Sequence, residues 1–412
     1  MEIGEIDNLW LGLDVGTTAV KAAVFDAGFE LVSHGRAPTP WRGSELDPDE
    51  LLAAAIAAAE QALDGCRVAG VGVTSMAETG VLTDDALRPV VPSIAWWDER
   101  GAAEAGELAD ALPDFAERTG QPPSAMCTLA KYAWMRRNWP DAERGTRWFN
   151  LAEWIVLGLG GEPRPEASLA SRTGFYDLHT GRAWAPAMAW VEAPDTLTPP
   201  HAPAGTPLGN VGGAAPRGGA GEVAPHGEAT GGGAARAGVA RLVGAEGARL
   251  AVGGHDHAAA AVGAGAAGEG DVLDSCGTAE AILRATAPLD PATVKRAVAE
   301  GFTVGRHALP GRYVLQGATW SGEKLQAVID GYGDHSTEYE AALEEVGAAG
   351  ADILARMEAL AGPYRRLVIT GGWSDRPEVR AMKRRSLGAF EHVDGGFAGC
   401  RGAARAAASR GS

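Results

Sequence analysis

The first seventy-five positions alternate short apolar runs with small polar ones. Leu9 to Val15, Val20 to Asp26 and Glu30 to Arg36 read as three short strands joined by tight turns at Gly16-Thr17 and Ala27-Gly28, which predicts an antiparallel meander. A helix is predicted next, from Leu51 to Leu63. Asp47 is placed to cap it, Pro48 suits its first position, Glu50 completes a capping-box pattern and Gly65 closes it. Arg67 to Thr74 then reads as a buried strand of Val and small residues, of the kind a helical crossover returns parallel to an earlier strand. Together these predict an α/β layer.

From Gly101 to Trp190 the pattern turns mostly helical, broken at Leu112-Pro113 and Gln121-Pro122-Pro123. Trp134, Trp139, Trp148 and Trp154 in this part read as core and interhelix packing, given the area each ring buries. Ala202 to Gly238 is rich in Gly, Ala and Pro without periodicity and reads as a loop or linker. Pattern returns with an apolar run ending in Gly253-Gly254-His255-Asp256-His257, an Ala-rich helix from Ala258 to Ala267, and a strand from Asp271 that enters Ser275-Cys276-Gly277-Thr278. Near the end, Leu367 to Thr370 is a buried strand breaking into Gly371-Gly372, followed by a helix from Pro377 to Leu387 with Gly388 just past it.

The turns carry the chemistry. Leu11 to Val15 is a strand with Asp14 near its end, and it opens into Gly16-Thr17-Thr18 before a second strand carries Lys21 away. Gly and small hydroxyl residues let backbone N–H groups approach an anion, and an adjacent Asp suits the Mg²⁺ that accompanies nucleotide phosphates. Taken alone, such a turn is often just a plain hairpin. The Asp274 to Thr278 stretch repeats the arrangement a domain's length later, so the pair predicts a duplicated fold whose halves face the two sides of a nucleotide. Gly371-Gly372 ahead of a helix N-terminus is a third candidate nucleotide contact.

Composition narrows the classes. A chain of 412 residues exceeds what one core usually supports, which predicts two domains. A net charge of −17 argues against nucleic-acid binding, which is built on Lys and Arg. The acidic first residues and the lack of any long apolar run predict a soluble cytoplasmic protein with no membrane contact. Cys66, Cys127, Cys276 and Cys400 lie far apart and read as separate thiols.

In order, these segments resemble the FGGY family of carbohydrate kinases, members of the actin, hexokinase and heat-shock ATPase superfamily. Asp14 to Lys21 is similar to that family's first phosphate loop; Ser75 to Thr79 and Ile94 to Arg100 are similar to its two sugar-facing segments, and Ser168 to Thr173 with Asp177 and Gly181 to a further stretch of its first domain. Gly253 to Asp256 resembles the catalytic-Asp segment, Ser275 to Thr278 the second phosphate loop and Gly371-Gly372 the adenosine motif. The resemblance implies two duplicated RNase H-like (actin-like ATPase) α/β domains with a cleft between them, over residues 1–257 and a shortened 258–412. It implies ATP-dependent, Mg²⁺-assisted phosphorylation of a small sugar, such as a ketose like xylulose, or of a polyol. Asp256 would be the base and Asp14 the metal ligand. Gly16, Thr17, Thr18, Lys21, Gly277 and Thr278 would hold phosphates; Gly371, Gly372 and Trp373 would line the adenosine site; Glu78, Trp96, Asp98 and His257 would meet the acceptor. A homodimer is the candidate assembly, and the cleft is expected to open and close about residues 258–268. The segment after Gly372 lacks the family's Gln and Ala-Asp pair, and a stretch between Thr278 and Gly371 is missing while Gly317-Ala318-Thr319-Trp320 is kept.

Three other readings stand beside this one. His255-Asp256-His257 could ligate zinc or iron in a hydrolase, although on a strand the two His would point away from the Asp. A nonenzymatic or sugar-independent nucleotide-binding protein of the same superfamily shares the phosphate turns. A kinase of the repressor-and-glucokinase class shares the Asp-x-Gly-x-Thr opening but carries a clustered cysteine zinc motif not found here.

Overall fold

The computed structural model describes residues 8–213, 240–394 and 396–409. Strands Trp10–Val15, Ala19–Phe25 and Leu31–Pro38 form the antiparallel meander. Gly70–Ser75 pairs parallel to the first of them, and Arg249–His255 pairs parallel to Gly70–Ser75 on the sheet's edge. The second sheet repeats the plan. Asp271–Cys276 is its central strand, followed by the antiparallel Glu280–Thr286 and Tyr313–Thr319; Arg366–Thr370 lies parallel on the other side, with Glu391–His392 beyond it. Thr303–Arg306 forms the opposite edge of this sheet.

Helix Pro48–Leu63 supplies the crossover, burying Leu51, Ala55, Ala58, Ala59, Ala62 and Leu63 against the first sheet. Asp47 Oδ1 accepts from the Asp49 and Glu50 backbone N–H groups as its cap. The expected capping box does not close, because the Glu50 carboxylate pairs with Arg42 instead. Asp64, with φ +39, ends the helix one residue before Gly65.

The region from 101 to 190 contains helices Ala102–Ala111, Thr128–Asn138 and Leu151–Gly158, and also a short strand, Arg147–Asn150, which pairs with Gly80–Thr83. A four-residue strand with two aromatics carries too little alternation to be seen in sequence. Trp148 and Trp154 are buried, and Trp134 meets Trp139 edge to face at 5.2 Å. Part of the expected Gly-Ala-Pro linker is ordered as a strap. Gly205, Leu208 and Val211 donate backbone N–H groups to Val252, Leu250 and Ala248, so this segment runs along the edge strand Arg249–His255. Residues 214–239 of that linker lie outside the described residues.

Two helices join the halves. Helix Asp256–Gly263 leaves the first sheet toward the second, and the last helix, Ala398–Ala408, returns to cover strands Trp10–Val15, Gly70–Ser75 and Arg249–His255. The two cross backbone to backbone. A Cβ on Gly402 would lie 1.9 Å from the Ala259 carbonyl oxygen, and one on Gly263 would lie 1.9 Å from that of Ala398. Neither contact can relax by turning a side chain, so Gly402→Val is expected to destabilise the fold by about 2 kcal/mol or more. Urea unfolding measures this, and a variant as stable as the parent would show that the crossing is loose. Among the described residues, no helix is long and apolar enough to cross a membrane.

Candidate active site

Three parallel strands of the first sheet end side by side and deliver the first half of the site. Asp14 lies level with Thr74 on the next strand, and Thr74 in turn with Gly254 on the edge strand. The turn at Gly16, the segment from Ser75 to Glu78 and the His255-Asp256 pair therefore emerge at one end. Lys21 sits across the hairpin from Asp14, on the same face.

The turn from Gly16 to Thr18 is held from outside. Thr39 Oγ1 donates to the Gly16 carbonyl at 2.7 Å, Trp41 Nε1 donates to the Thr17 carbonyl at 2.7 Å, and Trp96 Nε1 donates to Thr17 Oγ1 at 3.0 Å. Trp97 packs edge-on against both indoles, with ring centres 4.7 Å from Trp41 and 5.6 Å from Trp96. Thr18 stays exposed. Trp96, expected at the acceptor, braces the Gly16–Thr18 turn.

Asp256 opens a helix; the expected continuation of the strand through His257 is incorrect. The strand stops at His255, and the Asp256 carboxylate accepts the His257 backbone N–H at 2.6 Å, as suits the first turn of a helix. His255 is fixed from behind. Its backbone N–H donates to Ser168 Oγ, which donates to Glu166 Oε2 at 2.6 Å, and its Nε2 lies 3.1 Å from Asp256 Oδ1. Burial holds the His255 ring well below its usual range and brings His257 down to about 4, so both are neutral at pH 7. The Asp256 side chain is 23% exposed, open rather than sealed. Burial, with the Glu78 carboxylate nearby, raises its pKa to about 7, against the pull of Arg172 and Lys21.

Asp14 is raised to about 6, first by burial and then by the Asp256 carboxylate. Its Oδ1 is buried without a hydrogen-bond partner among the described residues. The last helix begins against this group: a Cβ on Gly399 would come within 2.6 Å of Asp14 Oδ2. A buried carboxylate oxygen with no donor fits a hard divalent cation, which is bound through oxygen.

Glu78 and Asp98 differ in their surroundings. Glu78 is buried and ion-paired to Arg172 at 2.6 Å. Asp98 is occupied. Burial alone would raise its pKa, but hydrogen bonds from Arg100, at 2.8 and 2.9 Å, and from Ser44 hold it well below the usual carboxylate range. Both its oxygens are engaged, so Asp98 anchors the turn behind Trp96 and offers the acceptor little.

The second sheet contributes Gly277 and Thr278 at the end of Asp271–Cys276, and Gly371 and Gly372 at the end of its parallel neighbour. Gly322, near the start of helix Ser321–Tyr332, packs so closely that a Cβ there would lie 2.1 Å from the Gly277 carbonyl and 2.6 Å from Trp373 Nε1. Trp373 also lies under Arg376, 4.9 Å from its guanidinium carbon. Ala258, two residues beyond Asp256, packs with Ala281 and Leu283 on the strand leaving the second turn. The head of the linking helix therefore lies beside that strand.

Sequence patterns did not reveal what underlies the second turn. Asp274, Glu280 and Lys383 are buried together. Lys383 Nζ is 2.7 Å from Asp274 Oδ2 and also bonds Glu280, whose other oxygen accepts from Thr319 and Ser321 at 2.8 and 2.6 Å. Burial would deprotonate Lys383, but the two carboxylates hold it charged. Asp274, Cys276 and Glu280 are the one His/Cys/Asp/Glu group among the described residues spaced for a metal ion, and the Lys383 ammonium already bonds two of them. The His255-Asp256-His257 set is not spaced that way. The available signal for the triad was a Lys within the buried stripe Val379, Met382 and Leu387.

The model of the FGGY family of carbohydrate kinases, N-terminal domain, matches residues 9–215. The chain belongs to the FGGY family. A xylulose kinase of Streptomyces coelicolor is 33% identical over 177 residues, which cover 41% of this chain and 37% of that protein. A glycerol kinase of Thermococcus onnurineus is 28% identical over 189 residues, covering 42% of this chain and 38% of that protein. The matched segments span less than half the length of these curated relatives. The fold agreement is wider. The structure of a xylulose kinase from Rhodospirillum rubrum superposes with a TM-score of 0.78 at 23% identity, covering 97% of this chain and 89% of that one. The duplicated actin-like ATPase fold of FGGY kinases thus extends over both sheets.

Proposed function

We propose that this FGGY chain transfers the γ-phosphoryl group of ATP to a hydroxyl of a small ketose or polyol. The observation that carries the reading is the Asp256 carboxylate, largely buried yet still open at one side, set at a helix start beside Glu78 and Asp14, with His255 against one oxygen. In the reaction, Asp256 takes the acceptor hydroxyl proton as the oxygen forms its bond to the γ-phosphorus. The bond from that phosphorus to the β–γ bridging oxygen breaks, and ADP leaves with the electron pair. Thr17, Thr18 and the Gly16 backbone hold the phosphates from the first sheet, Gly277 and Thr278 hold them from the second, and Lys21 adds positive charge. A divalent cation held by Asp14 would neutralise phosphate charge. Glu78 orients the acceptor, Trp96 covers its C–H edges and His257 lies beside it. Gly371, Gly372 and Trp373 take the adenosine. Movement about the crossing of the two joining helices admits both substrates and then excludes water.

A coupled assay of ADP release over ketoses, aldoses and polyols tests this reading. Stimulation by at least one of them is expected, and ATP hydrolysis indifferent to all of them would favour a sugar-independent nucleotide-binding protein. Because Asp256 must be ionised to act, and its pKa is raised to about 7, acceptor kcat/KM is expected to fall as the pH drops through about 7 and to level off above it. A profile without that acid limb would remove Asp256 from the role of base.

A further inference from the structure

Phosphoryl transfer as drawn gives Arg172 no task, yet this side chain lies between the acceptor carboxylate and the second sheet. Its Nε donates to Glu78 Oε1 at 2.7 Å, its Nη2 lies 2.6 Å from the same oxygen as an ion pair, and its Nη1 donates to Thr303 Oγ1 at 2.7 Å. Arg172 and Glu78 are buried. Glu78 also holds a left-handed backbone, φ +60, that a residue with a side chain seldom adopts, so its surroundings must impose its position. With Oε1 taken up by the guanidinium, no donor among the described residues reaches Oε2.

Thr303 opens the edge strand of the second sheet, and that strand is docked on the first half along its length. Val304 N–H donates to the Gly120 carbonyl, Gln121 Nε2 donates to the Val304 carbonyl, and Arg306 N–H donates to Ser171 Oγ, next to Arg172 itself. Of these contacts, the Arg172 bond alone continues to a residue assigned to the acceptor. A guanidinium is planar and rigid, so a shift of its Nη1 partner turns the whole group, including the Nε and Nη2 atoms that meet Glu78.

We propose that Arg172 is a positioning residue for the acceptor, and that its bond to Thr303 makes the placement of Glu78 depend on how the second sheet is seated. The inference rests on phosphoryl transfer to a hydroxyl acceptor. It predicts that loss of the Thr303 hydroxyl weakens use of the acceptor without weakening use of the nucleotide.

The test compares wild type, Thr303→Val, Thr303→Ser and Arg172→Lys, with D-xylulose and glycerol as acceptor probes. Val keeps the shape of Thr but removes the acceptor of the Arg172 Nη1, so urea unfolding of each variant and the Thr303→Ser rescue separate this effect from a loss of folding. Thr303→Val is expected to raise the acceptor KM roughly tenfold with the ATP KM within about twofold, and Thr303→Ser to restore it. Arg172→Lys, a point charge that cannot span both partners, is expected to raise the acceptor KM by at least as much. An unchanged acceptor KM in Thr303→Val, or an equal rise in both KM values, overturns this inference while wild-type turnover leaves the phosphoryl-transfer reading standing. Wild type that turns over neither probe nor any other sugar or polyol overturns both.

Discussion

Asp256→Asn is expected to lower acceptor phosphorylation by roughly 10²- to 10⁴-fold, the usual contribution of a general base. Asn keeps the shape of Asp and the carbonyl oxygen that accepts the His257 N–H, so the helix start and the His255 contact should persist. What disappears is the group able to take a proton. Nucleotide affinity, which the proposal assigns to the glycine-threonine turns, is expected to stay within about twofold. Steady-state kinetics with a saturating acceptor, together with calorimetric titration of ADP, separate the two. A variant that keeps most of its turnover would assign proton removal to another group. One that loses ADP binding in step with turnover would make Asp256 a structural residue.

The second large effect concerns stability. Lys383→Met removes the cation shared by Asp274 and Glu280, leaving two buried carboxylates, at 0% and 1% exposure, without their partner. Breaking a buried ion pair from one side typically costs about 3–5 kcal/mol. The deficit is expected to shrink as the pH falls, because unpaired buried carboxylates bind protons more tightly than in the unfolded chain, so the variant's folded state gains from acid. Replacing all three members with apolar residues of similar volume should recover much of the loss, since the desolvation of every charge then disappears. Urea unfolding at several pH values measures these differences. A Lys383→Met variant within about 1 kcal/mol of the parent would mean that water reaches the triad. The strands carrying Asp274 and Glu280 flank Gly277 and Thr278, so a loosened second turn, seen as a raised ATP KM, is expected alongside the stability change.

The elements legible in sequence were those whose pattern is local. The meander showed because alternation with a period of two survives between glycine turns, and Asp14 with Gly16-Thr17-Thr18 could be placed at a strand end for that reason. Non-local pairings could not be read. Arg172 meets Glu78 across 94 positions, and Lys383 meets Asp274 across 109. No periodicity encodes which charged residue in one segment neutralises another that far away. The last helix is similar: an Ala-rich amphipathic stretch fits many surfaces, and the close approaches at glycines such as Gly402, Gly399, Gly263, Gly12 and Gly72 select this one. At Gly253-Gly254-His255-Asp256-His257 the alternating apolar run concealed the change from strand to helix, a boundary set by the Asp256 carboxylate at the first turn. Asp98 carried the right residue type for an acceptor contact, but Arg100, two positions on, binds both its oxygens.

Phosphorus NMR of a reaction containing ATP, Mg²⁺ and an acceptor that stimulates ADP release addresses the central claim most directly. The account predicts one new sugar- or polyol-phosphate resonance growing in step with ADP, with little inorganic phosphate. ADP accompanied by an equal amount of inorganic phosphate, and no phosphorylated acceptor, would contradict it.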